Sequence, residues 1–238
     1  MKTIFTLAKK ELYANFSSPI AYVFLAVFLF VSFWLYFSGV FLVGQASLRI
    51  FFGWIPLLYI ILLPSVTMGI WAEERKTGSF ELLLTMPVSH LKIILGKYLA
   101  TISFLFILLL CTTPLVAVMS FLGELDMGMI IGAYLGLFLL GVSYLALGLF
   151  VSSLTKNQIV AFIVSVLVLF LFYVVAEPLV TSYLPNHFIP FFQFLSFNYH
   201  FTSMARGVID TRDLIYFLST VFLFLYLNVV SLSLRKVA

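Results

Sequence analysis

The strongest constraint on the fold is a series of six long apolar stretches, each near or above the roughly 20 residues that a helix needs to cross a bilayer. They lie at about residues 20–43, 52–72, 91–122, 127–153, 157–176 and 213–233. Of the 238 residues, 63% are hydrophobic and 9% are charged, a balance that no water-soluble core accommodates. The sequence therefore predicts an all-α integral membrane protein, with six transmembrane helices in a single domain over residues 1–238.

Lysine and arginine residues fall unequally on the two sides that these spans define. With the N-terminus in the cytoplasm, ten lie inside and three outside, so the positive-inside rule predicts that both termini are cytoplasmic. The ten are Lys2, Lys9, Lys10, Arg75, Lys76, Lys92, Lys97, Lys156, Arg235 and Lys236, and the three are Arg49, Arg206 and Arg212. Because the net charge of +4 is sorted by side of the membrane, it does not indicate a nucleic-acid partner.

Residues 1–19 combine apolar side chains with several lysines that can snorkel to lipid headgroups. Leu12 and Phe16 are four residues apart, which favours a helix lying on the membrane surface. A cleaved signal peptide is the alternative, but the apolar stretch that follows is too long and no small-x-small cleavage site follows it. We therefore expect a retained interfacial helix.

Glycine and proline residues occur inside the predicted spans. The fourth span carries a glycine ladder that permits close helix packing, within the chain more readily than in a dimer contact. Its members are Gly128, Gly132, Gly136, Gly141 and Gly148. The prolines inside spans predict kinks and stand at Pro56, Pro64 and Pro114.

A polar interruption at residues 73–90 separates the second and third spans. Gly78 can close the preceding helix in the left-handed conformation, and Ser79 can cap a helix of about two turns that begins at Phe80. Glu81 lies in its first turn, where the helix dipole favours an acid, and Pro87 ends it. The sequence therefore predicts a stiff surface helix between two spans.

The spacing E-x-x-x-G-S-x-E-x-L-L-x-x-P-V-S of residues 74–89 resembles the first cytoplasmic loop of ABC-2-type exporter permeases. In that family the loop is a coupling helix that docks into the ATP-binding subunit. The resemblance implies a type V ABC exporter-like fold. The implied coupling residues are Glu74, Gly78, Ser79, Glu81, Leu83, Leu84 and Pro87, with Lys156 in the short polar loop 152–158. That loop is either a second contact for the partner or merely a turn.

In this interpretation Gly78 and Pro87 shape the coupling helix. Glu74 and Glu81 offer acceptors to basic groups on the partner. The apolar positions Leu83 and Leu84 lie on its other face.

Residues 177–212 form an aromatic-rich segment, which we expect to fold as one or two short helices at the outer face. Glu177 ends the fifth span, where an acid must be solvated or paired, and a snorkelling role is favoured over a substrate contact. Residues 195–219 resemble the segment before the last helix in the gliding-motility (GldF-like) branch of these permeases, similar to NosY-type permeases. The matching positions are Arg206, Gly207, Asp210, Arg212 and Asp213.

Residues with catalytic potential are sparse. No P-loop pattern occurs, so we expect no cofactor in this chain, with ATP and Mg bound by a partner ATPase. His90, His187 and His200 are far apart and read as ordinary interfacial histidines, without carboxylates at metal-ligand spacing. Cys111 lies in an apolar run as a packed hydrophobe. A polytopic membrane enzyme is therefore disfavoured.

The favoured function is the permease subunit of an ATP-driven exporter in a bacterial cytoplasmic (inner) membrane. The resemblance implies a separate ABC ATPase subunit and a homodimer, or a heterodimer with a related permease. It also implies an auxiliary protein with an extracytoplasmic domain. The alternative is a membrane scaffold or assembly factor that anchors a complex and transports nothing.

Overall fold

The computed structural model describes residues 2–43, 47–79, 88–123, 125–183 and 185–234. Within these ranges the regular structure is entirely helical, as predicted. The helices are α1 (Lys2–Ser17), α2 (Pro19–Val43), α3 (Leu48–Thr67), α4 (Gly69–Thr77), α5 (His90–Leu110), α6 (Thr113–Leu122), α7 (Met127–Leu154), α8 (Gln158–Val174), α9 (Pro178–Thr181), α10 (Ile189–Leu195), α11 (Phe197–Met204) and α12 (Thr211–Leu234).

Five helical segments of the described chain are long and apolar enough to cross a membrane. They are Pro19–Val40, Leu48–Thr77, His90–Leu122, Met127–Leu154 and Thr211–Leu234. The predicted span at 157–176 is a helix of 17 residues, α8, because the chain turns after Val174 and Pro178 starts a new helix. The protein is thus a multi-pass membrane protein, while the full six-span layout stays a prediction.

Two of the long segments are interrupted near the prolines that predicted kinks. The helix α3 gives way to α4 at Met68, whose N–H donates to the carbonyl of Pro64 at 2.8 Å. The third span breaks at residues 111–112, and Pro114 opens α6. Proline cannot donate a backbone hydrogen bond and crowds the preceding turn, which favours the break at residues 111–112 before Pro114. The break at Met68 lies one turn after Pro64, so this effect does not account for it. At Pro56, in contrast, α3 continues without interruption.

The helix α7 occupies the centre of the bundle. In its most apolar window 78% of the residues are buried, against 17% for α2 and α12, which therefore form the outside. Its glycine ladder accounts for this position. A methyl group added at Gly141 would lie 2.7 Å from Leu105 of α5, and one at Gly132 would lie 2.7 Å from the carbonyl oxygen of Met204. Packing of the ladder within the chain is confirmed, since α7 has no room for larger side chains at these points.

The bundle has two chemically different ends. At one, which we call the basic end, α1 and α4 meet the beginning of α5, the end of α7 and the end of α12. At the other, the opposite end, the segment 177–210 folds over the beginnings of α7 and α12. This segment contains three short helices, α9, α10 and α11, where the sequence predicted one or two.

Candidate functional site

A buried cation is the centre of the basic end. The Nζ atom of Lys97, on α5, lies 2.6 Å from Oε1 of Glu74 on α4 and 3.0 Å from Oε1 of Glu11 on α1. It also lies 5.1 Å from the ring centroid of Trp71. The Lys97 side chain is 4% exposed, whereas those of Glu74 and Glu11 are 22% and 29% exposed. We call these three charged residues the Lys97 cluster.

The Lys97 cluster joins three helices that are distant in sequence. A buried ammonium requires compensation by acceptors, and here two carboxylates from different helices supply it. Each of these contacts is a charge-assisted hydrogen bond, which is shorter and stronger than a neutral one. The sequence placed Lys97 among the cytoplasmic cations without predicting its burial. The sequence also predicted that the Glu74 carboxylate contacts a partner protein. In the structure one oxygen of that carboxylate binds Lys97.

The helix α1 is held against α5 by close packing beside this cluster. A methyl group at Gly96 would lie 2.8 Å from Cβ of Leu7 and 3.5 Å from the carbonyl oxygen of Ile4. The other side of α1 is open, since Phe5 and Tyr13 are exposed. The predicted helix in residues 1–19 is therefore present as Lys2–Ser17, and its place at a membrane surface stays a prediction.

The end of α4 has the geometry that the sequence predicted. Gly78 has a φ of 76°, so it closes the helix in the left-handed region that glycine adopts without steric cost. The Ser79 hydroxyl donates to the carbonyl of Glu74 at 3.3 Å and lies 2.9 Å from the Thr77 hydroxyl. Glu81, Leu83, Leu84 and Pro87 lie outside the described residues.

The start of α4 is capped by a residue from the central helix. The Ser152 hydroxyl oxygen accepts hydrogen bonds from the backbone N–H groups of Trp71 and Ala72 at 3.2 and 3.3 Å, and donates to the carbonyl of Met68 at 2.9 Å. A serine normally caps its own helix in this way. Here the cap comes from α7, so it locks α4 to the centre of the bundle.

The neighbouring residues of α7 extend this connection. The Arg75 guanidinium donates to the carbonyl of Ser153 at 2.9 Å, and the Ser153 hydroxyl bonds that of Ser231 on α12 at 3.1 Å. The loop beyond is a tight turn in which Asn157 caps α8 through Ile159. Lys156 is exposed in this turn, at the same end as α4 but outside the Lys97 cluster.

A cavity of about 440 Å³ lies beside the Lys97 cluster, between α1, α2 and the α3–α4 junction. Its polar lining includes Glu11, Glu73, Glu74, Lys97 and Gln158. The basic end thus combines a fixed helix end, a buried ion cluster and a polar recess.

A profile of the ABC-2 family of transporter proteins matches residues 42–232, which is most of the chain. The chain belongs to this family. ABC-2 permeases are membrane components of ABC transporters that have no ATPase domain of their own and normally pair with an ABC ATPase subunit. No curated protein matches the chain.

At the opposite end of this ABC-2 permease, Glu177 has a hydrogen-bond partner, one of the two arrangements expected for an acid at the end of an apolar span. Its Oε1 atom accepts a hydrogen bond from Nδ2 of Asn198, on α11, at 2.6 Å. This bond ties the start of α9 to α11. Arg206, Asp210 and Arg212 lie beyond α11, around the turn at Gly207, which has a φ of 85°.

The expectation that His200 is an ordinary interfacial residue is wrong. It is buried on α11, with Nδ1 at 2.7 Å from Oδ1 of Asp213 and Nε2 at 3.0 Å from the carbonyl oxygen of Phe194. The ring stacks on Tyr216 with centroids 3.9 Å apart. Both ring nitrogens therefore face oxygen atoms, a carboxylate oxygen at Nδ1 and a carbonyl oxygen at Nε2.

Sequence reasoning missed this pair for a structural reason. His200 and Asp213 are 13 residues apart, and only the reversal of the chain at Gly207 brings them together. The one available signal was an aspartate at the start of an apolar span, since such an acid requires a partner.

Proposed function

We propose that this chain is the permease subunit of an ATP-driven ABC exporter and that a separate ATPase subunit docks at its basic end. The family supports a membrane permease component that pairs with an ATPase. The observation that carries the docking site is the Lys97 cluster. It fixes α4, the helix that precedes residues 78–89, to both α1 and α5. A force applied to residues 78–89 is therefore transmitted to α1, α4 and α5 together.

The same connections provide a route for motion across the protein. Ser152 and the carbonyl of Ser153 attach α4 to α7, the central helix. At its far end α7 packs against the turn after α11, where an added methyl at Gly132 would lie 3.0 Å from Cα of Gly207. Closely packed helices move as rigid bodies because their interfaces resist continuous deformation. In this proposal, closure of the ATPases on ATP displaces α4 and the displacement reaches the segment 177–210.

Each coupling residue has a specific role in this proposal. Gly78 and Pro87 shape the docking helix, and Glu81 offers its carboxylate to basic groups of the ATPase. Leu83 and Leu84 supply apolar contact. Glu74 acts inside the permease as an anchor, because its Oε1 atom is bound to Lys97. Lys156, exposed in the adjacent turn, is a second contact.

The assembly follows from the same proposal. The permease forms a homodimer, or a heterodimer with a related permease, above two ATPases that bind ATP and Mg. The basic end faces the cytoplasm of a bacterial inner membrane, in keeping with the ten-to-three distribution of lysine and arginine. Membership of the gliding-motility branch and an auxiliary partner with an extracytoplasmic domain rest on the pattern of residues 195–219 alone.

The test is recovery of the tagged chain from native membranes in mild detergent, followed by an ATPase assay. We expect a P-loop ATPase to copurify. We expect Glu81→Arg to abolish its stimulation while the permease remains inserted and monodisperse, because two like charges would then face each other in the contact. Glu81→Gln, which only removes the carboxylate charge, should reduce stimulation less.

Asn186→Arg provides the matched control, since Asn186 is exposed at the opposite end. It adds a positive charge to the surface and should leave stimulation unchanged. Normal stimulation in the Glu81→Arg variant would contradict the docking site. Recovery of folded chain without any ATPase would instead favour the scaffold or assembly factor.

A further inference from the structure

The opposite end contains a cavity of about 660 Å³ that the coupling proposal does not use. Its buried lining is formed by the His200–Asp213 pair and the ring of Tyr216, and the exposed rings of Phe194 and Tyr199 also line it. Arg206 and Arg212, both exposed, also line it. The cavity therefore combines an aromatic floor with two guanidinium groups near its mouth.

Each of the two carboxylates that line this cavity has one hydrogen-bonded oxygen, while Oδ2 of Asp213 is buried without a hydrogen-bond partner among the described residues. Oδ1 of Asp210 accepts from the backbone N–H of Arg212 at 2.9 Å and from the Thr211 hydroxyl at 3.4 Å, which caps the start of α12. Asp213 is bound to His200. In contrast, neither guanidinium forms an ion pair within the part of the chain that the structure describes. The lining therefore offers two guanidinium groups that have no carboxylate at ion-pair distance among the described residues.

An apolar path leads away from the cavity along α12. Ile215 lines the cavity, and Leu218, Phe222 and Tyr226 continue from it at steps of three, four and four residues on one face of the helix. All four side chains are exposed, by 65%, 60%, 72% and 58%. This face suits a hydrocarbon chain, since it is continuous with the cavity and parallel to a membrane-spanning helix.

We propose that this cavity binds the phosphate headgroup of an anionic amphiphile, whose acyl chains lie along the exposed face of α12. Arg206 and Arg212 bind the phosphate, because guanidinium groups donate paired, charge-assisted hydrogen bonds to phosphate oxygens. The aromatic floor contacts the glycerol and upper chain region. The site does not depend on ATPase docking, so it is measurable on the permease alone.

The experiment is native mass spectrometry of the full chain in a neutral detergent. The probes are phosphatidic acid and phosphatidylcholine with identical acyl chains. We expect the chain to retain phosphatidic acid more tightly than phosphatidylcholine. The double variant Arg206→Gln/Arg212→Gln should lower the phosphatidic acid affinity by about tenfold or more, as the loss of hydrogen bonds to a charged group implies.

Arg49→Gln is the matched control, because Arg49 is an exposed arginine that does not line the cavity. It should bind phosphatidic acid as the wild type does. An equal loss in Arg49→Gln, or equal retention of the two lipids by the wild type, would overturn the proposal. If the double variant fails to fold, Arg206→Gln alone should weaken binding about tenfold, and an unchanged affinity there would overturn it too.

A competition arm separates a lipid from a free anion. Inorganic phosphate at the concentration of the lipid should leave phosphatidic acid bound, because it lacks the chains that contact α12. Displacement of the lipid by inorganic phosphate would assign the site to small anions and overturn the amphiphile proposal.

Discussion

Both ends of this permease bury charged side chains beside a membrane, but the partners of these side chains differ between the ends. At the basic end Lys97 binds the carboxylates of Glu11 and Glu74, which lie 86 and 23 residues away in the sequence. At the opposite end a histidine meets one aspartate only 13 residues away. The His200–Asp213 pair places one basic ring against one carboxylate, whereas loss of Lys97 would leave two carboxylates close together without a cation. The basic end is therefore the more sensitive to loss of a partner.

Removal of the central cation should have the largest effect. Lys97→Met leaves Glu11 and Glu74 close together without their shared partner, and we expect unfolding free energy to fall by about 4 kcal/mol. Thermal unfolding of the purified protein in detergent measures this. The control is Lys92→Met, an exposed lysine on the same helix, which should cost less than about 0.5 kcal/mol.

A further variant tests whether charge is the cause. The triple change Lys97→Met/Glu11→Gln/Glu74→Gln removes all three charges and should recover much of the lost stability. Equal stability of the wild type, Lys97→Met and the triple variant would show that packing, and not the ion cluster, holds α1 and α4.

The second effect concerns the opposite end. Asp213→Leu leaves His200 without its partner, and we expect a cost of about 2.5 kcal/mol, smaller than at Lys97 because a neutral histidine is tolerated. Added to His200→Phe in a double-mutant cycle, it should show a coupling of about 1 to 3 kcal/mol. Strictly additive losses would mean that the two residues act independently, despite the 2.7 Å between Nδ1 and Oδ1.

The glycine ladder provides a third effect, which connects the ends. Gly132→Ala places a methyl 2.7 Å from a backbone carbonyl, which cannot rotate away, so we expect a loss of about 2 kcal/mol. Gly53→Ala is the matched control, since an added methyl there has no heavy atom within 4 Å among the described residues. This control should be neutral or slightly stabilising, because alanine favours the helix over glycine. Equal unfolding temperatures for the two variants would contradict close packing at α7.

How far the sequence predicted this structure depends on how local each signal is. Five of the six apolar spans and the left-handed Gly78 follow from short patterns, and the glycine ladder follows from spacing on one helix, so these predictions are confirmed, while the six-span layout stays a prediction. The Lys97 cluster and the His200–Asp213 pair depend on which helices become neighbours. No local pattern in the sequence specifies those neighbours, so the sequence places Lys97 only among the cytoplasmic cations and His200 only among the interfacial histidines.

The smallest expected effect tests the cap that α7 supplies to α4. Ser152→Ala removes the acceptor for the N–H groups of Trp71 and Ala72, and should cost about 1 kcal/mol, the usual value of a helix cap. Ser103→Ala is the control, because among the described residues the Ser103 hydroxyl bonds only its own helix, at the carbonyl of Leu99, and its loss should be nearly neutral. Hydrogen exchange of the α4 amides measures the local effect, with faster exchange expected in Ser152→Ala alone. If α4 exchanged equally fast in both variants, its rigidity would come from the Lys97 cluster and the Arg75–Ser153 hydrogen bond, and these connections would carry force from the basic end into the bundle.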